Sequence, residues 1–172
     1  MPNQQHRSVT GTSQPSPAAG ILGLWKRLSP LPGGRRIFAL LLGQRIPYTG
    51  SIHPFVLELR PGYARVRMRD RRAVRNHLRS IHAIALANLA EVTSGLAMTT
   101  GLPPTVRSIV TGLEVTYVKK ARGTLTAECT CDIPTTVTDR LEVPVTATVR
   151  DQAGDIVVTA TARWLLSPAP AA

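Results

Sequence analysis

Apolar residues first gather in two short blocks, Ile21 to Leu28 and Ile37 to Leu42, with Pro30, Pro32, Gly33 and Gly34 between them. No single helix tolerates that interruption, so the pattern predicts two short helices packed across a domain. From Phe55 the period falls to two. Phe55, Leu57 and Leu59 share one face, Pro61-Gly62 makes a turn, and Ala64, Val66 and Met68 continue the apolar face with Tyr63, Arg65, Arg67 and Arg69 opposite. This is the signature of an antiparallel hairpin with a basic outer face.

Ser80 is a favourable N-cap, and Ile81 to Met98 follows with apolar residues at 81, 85, 89, 92 and 96, which predicts one long helix with a face committed to a core. Gly101 and Pro103-Pro104 end it. The remainder alternates as strands: Val106 to Lys119, Thr124 to Ile133, Thr138 to Arg150 and Asp155 to Leu166, with turns at Lys120 to Gly123 and Asp151 to Gly154. Pro144 lacks a ladder donor and argues for an edge or a bulge at its position.

The expected fold class is therefore α+β, an antiparallel sheet wrapped around one long central helix with short N-terminal helices. One helix cannot cover both faces of such a sheet, so an edge or face remains for a second subunit, and self-association as a dimer or tetramer is expected. The expected organisation is a disordered tail over 1–20, short helices over 21–48, the sheet-and-helix domain over 49–167, and a tail over 168–172.

Composition narrows the partners. The 172 residues carry a formal net charge of +11, which favours anionic ligands. Eight arginines lie between Arg60 and Arg79 against one acid, Asp70. Nucleic acid is disfavoured, because aromatics form only 4% of the chain and none alternates with the arginines as a stacking platform. The segment from Trp25 to Leu42 is broken into two helices, which disfavours a membrane-surface helix. No secretory signal is recognisable and no apolar run approaches a membrane span, so the cytoplasm is the expected compartment. Cys129 and Cys131, the only cysteines, form neither a disulfide framework nor a zinc set and read as small apolar residues on one strand face, so no metal is expected.

The candidate chemistry lies where the arginine-rich loop becomes the helix. Asn76, His82 and Glu91 are spaced by six and then nine residues. A helix start offers unpaired N–H groups that can hold an oxyanion, and a carboxylate about two and a half turns later can serve as base or nucleophile.

This element order, with Arg75-Asn76-His77, Ser80-Ile81-His82-Ala83, Asn88-Leu89-Ala90-Glu91, and the strand-turn from Glu114-Val115-Thr116-Tyr117 to Lys119-Lys120-Ala121-Arg122-Gly123, resembles the hotdog-fold acyl-CoA thioesterases of the phenylacetate type, nearest to an uncharacterised branch. The resemblance covers about residues 50 to 166. It implies hydrolysis of an acyl thioester, with coenzyme A as part of the substrate and no separate cofactor. It further implies that Glu91 activates water or attacks the carbonyl, that Asn76 positions water or substrate, and that His82 lies at the helix entrance beside the polarising N–H groups. Thr111 matches the assisting hydroxyl on the strand after the helix, with Ser108 second. Where the family carries two glycines after the histidine, this chain has Ala83 and Ile84, which narrows the backbone approach and keeps open a non-catalytic acyl-thioester binding module.

At a rise of about 1.5 Å per residue, His82 and Glu91 stand roughly 13 Å apart along one helix, beyond hydrogen-bond reach. Two antiparallel central helices at a dimer interface would bring the Asn76/His82 end of one chain to Glu91 of its partner, which predicts two composite sites. Arg72, Arg75 and Arg79 are candidate coenzyme A phosphate ligands, with Lys119, Lys120 and Arg122 on a second basic turn; a solvated sheet face is the simpler role for the rest of the arginine stripe.

Overall fold

The computed structural model describes residues 17–169. Helices α1 (Pro17–Leu28) and α2 (Gly34–Arg45) replace the two apolar blocks, with a one-turn α3 (Pro47–Gly50) after them. The expected tail over 1–20 lies outside the described residues up to residue 16, but its last four residues belong to α1. Of the expected tail over 168–172, residues 170–172 lie outside the described residues. Trp25 of α1 meets Phe38 of α2 edge to face, ring centroids 5.1 Å apart, and both rings are buried in the main core.

Strands β1 (Phe55–Arg60) and β2 (Tyr63–Met68) form the predicted hairpin, with Ala64, Val66 and Met68 fully buried and Arg65 exposed. A register shift between Val56 and Glu58 buries Val56 with Leu59 in place of the expected Phe55, Leu57 and Leu59 face, and Tyr63, expected outside, is buried. A 3-10 turn at Arg72–Val74 then leads to α4 (Ala83–Thr99). Strands β3 (Val106–Tyr117), β4 (Leu125–Thr130), β5 (Leu141–Arg150) and β6 (Ile156–Pro168) complete one six-stranded sheet in the order β1-β2-β4-β5-β6-β3. Every pairing is antiparallel. β4 stops pairing with β5 at Cys129 and Ala147, so Pro144 lies where β5 has a neighbour on one side only, opposite Arg163 of β6. A residue without a donor is tolerated there because no ladder bond is lost.

The long helix begins later than its pattern suggested. Ser80 is not its cap: it is buried in the preceding loop, and His82 occupies the N-cap, where its Nδ1 accepts the Ile84 N–H at 3.1 Å. The displacement has a backbone cause. Arg75 and Ile81 form an isolated β-bridge, Ile81 N–H donates to the Ala121 carbonyl and His82 N–H to Val74, which keeps this stretch extended until Ala83.

Helix α4 packs its apolar positions on β2, β4, β5 and β6, and its hydroxyls are satisfied within the helix: Thr93 donates to Leu89, Ser94 to Glu91 and Thr99 to Gly95 carbonyls. Burial embraces most of its circumference. The residues left half-buried or exposed are Ala83, Ile84, Ala87, Glu91, Gly95 and Thr99, a stripe at intervals of four.

Candidate active site

That stripe places one ionisable group, Glu91, at the middle of α4. The carboxylate opens into a cavity of about 790 Å³ walled by Val92, Gly95 and Leu96 of the same helix, Arg45, Ile46 and Thr49 of the α2–α3 corner, and Arg107 and Ser108 of β3. Among the described residues it has neither a hydrogen-bond nor an ion-pair partner. Desolvation by burial raises its pKa above the ordinary carboxylate range. Trp164 of β6 adds to the wall, its ring close against Gly95, where a Cβ would stand 3.2 Å from it. Its indole N–H is buried without an acceptor among the described residues. A carboxylate poised to take a proton, a hydroxyl, two arginines and an indole ring thus share one partly apolar chamber.

The α2–α3 corner holds its position through two local devices. Gly43 and Gly50 pack backbone to backbone, since a Cβ on Gly50 would come within 2.6 Å of the Gly43 carbonyl oxygen. Asn88, buried in α4, donates from Nδ2 to the Tyr48 carbonyl at 3.2 Å and pins α3 to the central helix.

Asn76 and His82 stand elsewhere. The Asn76 side-chain oxygen accepts from Leu78 N–H, Ser80 N–H and Ser80 Oγ, closing a five-residue loop in which Arg79 takes a φ of 55°. Asn76 Nδ2 has no acceptor among the described residues. His82 is exposed; because its Nδ1 accepts from Ile84, the proton of the neutral ring sits on Nε2. His82 lines a smaller cleft of about 190 Å³ with Tyr48, Ser51 and Ile84, separate from the Glu91 cavity. Ala83 N–H has no acceptor among the described residues, while Tyr117 Oη of β3 donates to the Ala83 carbonyl at 3.1 Å. The chain by itself therefore does not bring Asn76 and His82 to Glu91.

Of the two hydroxyls, Ser108 reaches the Glu91 cavity. Thr111, at the register shift of β3, donates toward Glu142 Oε2 and the Arg163 carbonyl, each at 3.2 Å, and does not line that cavity. The candidate phosphate ligands divide similarly. Arg75 is bound to Asp70 at 2.6 Å, and that carboxylate also accepts Gly123 N–H; the guanidinium holds the Asp70 pKa below its ordinary value. Lys119 bridges Asp151 at 2.7 Å and Asp155 at 2.6 Å, so its charge is already compensated. Arg72, Arg79, Lys120 and Arg122 are exposed and have no ion-pair partner among the described residues. Sequence patterning missed Arg45, Arg107 and Trp164. Arg45 lay past the end of a predicted helix, and the other two read as ordinary strand positions.

The model of the family described as "Domain of unknown function (DUF4442)" matches residues 34–166, and the chain belongs to that family. A structural-genomics crystal structure is 32% identical, covers 88% of this chain and 99% of its own, and superposes with a TM-score of 0.75. A Pseudomonas aeruginosa protein of unknown function, described as a "probable thioesterase", is 22% identical over 80% of this chain and 97% of its own, TM-score 0.67. A phenylacetic acid degradation-related protein from Ralstonia eutropha is 16% identical over 69% of this chain and 89% of its own, TM-score 0.59. The fold is thus the hotdog fold of thioesterase-like proteins. Among curated proteins, none is significantly similar.

Proposed function

We propose that this protein hydrolyses an acyl thioester, acyl-CoA in the first instance, with Glu91 as general base or nucleophile. The observation that carries the reading is the unpaired, half-buried Glu91 carboxylate in the chamber beside the uncovered stripe of α4. As a base, Glu91 takes a proton from water, and the resulting oxygen nucleophile attacks the thioester carbonyl. The tetrahedral oxyanion needs donors. Ala83 N–H, Asn76 Nδ2 and His82 Nε2 are of the right kind, and they reach a reacting carbonyl beside Glu91 only if a second copy supplies them. The C–S bond then breaks, the sulfur leaves with the proton, and acid and free thiol are released. Helix-start donors of this kind are worth about 3–4 kcal/mol each, and a positioned base about 10²–10⁴ in rate. Ser108, and Arg45 with Arg107, lie where they could orient substrate and attract its phosphates; Arg72, Arg79, Lys120 and Arg122 remain free to meet phosphates outside the chamber.

The decisive measurement is thiol release over short, long and aromatic acyl-CoAs with wild type and Glu91→Gln. Turnover that falls by about 10²-fold or more in the variant is expected. Binding of acyl-CoA without release of thiol by the wild type identifies instead a non-catalytic acyl-thioester binding module, the reading that Ala83 and Ile84, in place of glycines, favour.

A further inference from the structure

A second cavity, about 720 Å³, lies on the other side of the α2–α3 corner. Gly43, Gln44, Pro47 and Gly50 face it, whereas Arg45, Ile46 and Thr49 face the Glu91 chamber, so one helical corner is the common wall of two separate spaces. Among the described residues four arginines line this second space, Arg36 from α2, Arg67 from β2, and Arg69 and Arg71 from the segment after it, and no acid does. Among the described residues none of the four is in an ion pair.

Two of these guanidiniums are left incomplete. The Nε atoms of Arg67 and Arg71 are buried and without an acceptor, although Arg71 Nη2 donates to the Ser51 carbonyl at 3.1 Å and the Arg67 guanidinium lies over the Phe55 ring, 4.9 Å from its centroid. Four like charges lining one space with no counter-ion among the described residues repel one another, and an anion held between them removes that cost. A carboxylate satisfies one guanidinium fork. A phosphate ester presents more acceptor oxygens and suits several. Besides Gln44 and His53 the rest of the wall is apolar, with Leu40, Pro47 and Phe55, and Leu40 is 62% exposed.

We propose that this cavity is a second ligand site that takes a phosphate ester carrying an apolar chain, the phosphate against Arg67 and Arg71 and the chain along Leu40 and Pro47. The site stands independently of the thioesterase reading, because neither Glu91 nor any other residue of that chamber lines it.

The test uses octyl phosphate in titration calorimetry, and vesicles of phosphatidylglycerol against phosphatidylcholine in flotation. Two double variants probe the site: Arg36→Ala with Arg69→Ala, whose side chains are exposed and whose loss spares the fold, and Arg67→Gln with Arg71→Gln. A third, Arg27→Ala with Arg140→Ala, removes the same charge elsewhere. Octyl phosphate is expected to bind about tenfold more weakly to both site variants and unchanged to the third and to Glu91→Gln. Preference for phosphatidylglycerol vesicles, lost in the site variants and competed by octyl phosphate, identifies a lipid headgroup as the source; indifference to vesicles alongside octyl phosphate binding identifies a free phosphate ester. Absence of binding to either probe overturns the proposal, and so does equal weakening in the third variant, which marks attraction by net charge alone.

Discussion

A carboxylate half withdrawn from water, with no ion-pair or hydrogen-bond partner among the described residues, binds its proton more tightly in the folded chain than in the unfolded one. Burial sets that direction for Glu91. Between the ordinary carboxylate value and the raised one, the folded state holds more protons, so stability falls as pH rises through that window and the loss is complete above it. Glu91→Gln is therefore expected to raise Tm at neutral pH by a few degrees and to leave it unchanged below about pH 4, where both side chains are neutral. Thermal unfolding of both proteins at the two pH values checks this; equal shifts at both would mean that ionisation is not the cause. The same displacement acts on catalysis. Hydrolysis through an ionised Glu91 should show an acid limb in kcat/KM above the usual carboxylate range, read from a pH–rate profile of thiol release.

At the scale of elements, the β1–β2 turn ties three parts of the domain together. Gly62 N–H donates to the Ala97 carbonyl near the end of α4, and Cys131 N–H donates to the Gly62 carbonyl. Its φ of 76° lies in the left-handed region, and a Cβ there would meet the Cys131 carbonyl oxygen at 2.6 Å. Gly62→Ala is accordingly expected to cost about 2 kcal/mol or more, measured as a shift in denaturant midpoint with unchanged m. An effect near zero would show that hairpin, helix end and β4 relax independently. The helix itself shows why propensity misplaces a boundary: Ser80 is the better cap by residue type, but the bridge between Arg75 and Ile81 holds the backbone extended past it.

At the scale of the molecule, β3 is an edge strand that among the described residues pairs with β6 alone, and it exposes Ile109, Leu113 and Tyr117, with Val118 just beyond. A long unprotected edge with apolar side chains invites a second chain. We propose that two copies associate so that the α4 start of one faces Glu91 of the other, which would supply the donors missing from each Glu91 chamber. Mixing Asn76→Ala with Glu91→Ala protein tests it, because the mixed dimer regains one intact site. Thiol release well above either parent is expected, up to about a quarter of wild type by random pairing with one working site in half the dimers. No recovery in a sample shown to contain mixed dimers would defeat the shared site.

What the sequence determined by itself follows from local chemistry. Period-two alternation identified both strands of the hairpin and the four later strands, Pro and Gly separated α1 from α2, and a lone Glu in an Ala/Leu-rich helix marked the middle of the candidate site, because each of these signals is carried by neighbours in the chain. Strand ends were overrun: the predicted Val106 to Lys119, Thr124 to Ile133 and Thr138 to Arg150 strands shorten to β3, β4 and β5. Tertiary packing alone decided which hydroxyl reaches Glu91: Ser108 and Thr111, three residues apart, fall on opposite faces of β3, and only packing shows that the Ser108 face meets the chamber. It also decided that Lys119 is occupied by Asp151 and Asp155 from far along the chain, that the Asp70 holding nearby Arg75 is itself fixed by distant Gly123, and that Arg45, Arg107 and Trp164 converge on one chamber. Periodicity reports which way a side chain faces; what it meets there depends on elements far along the chain.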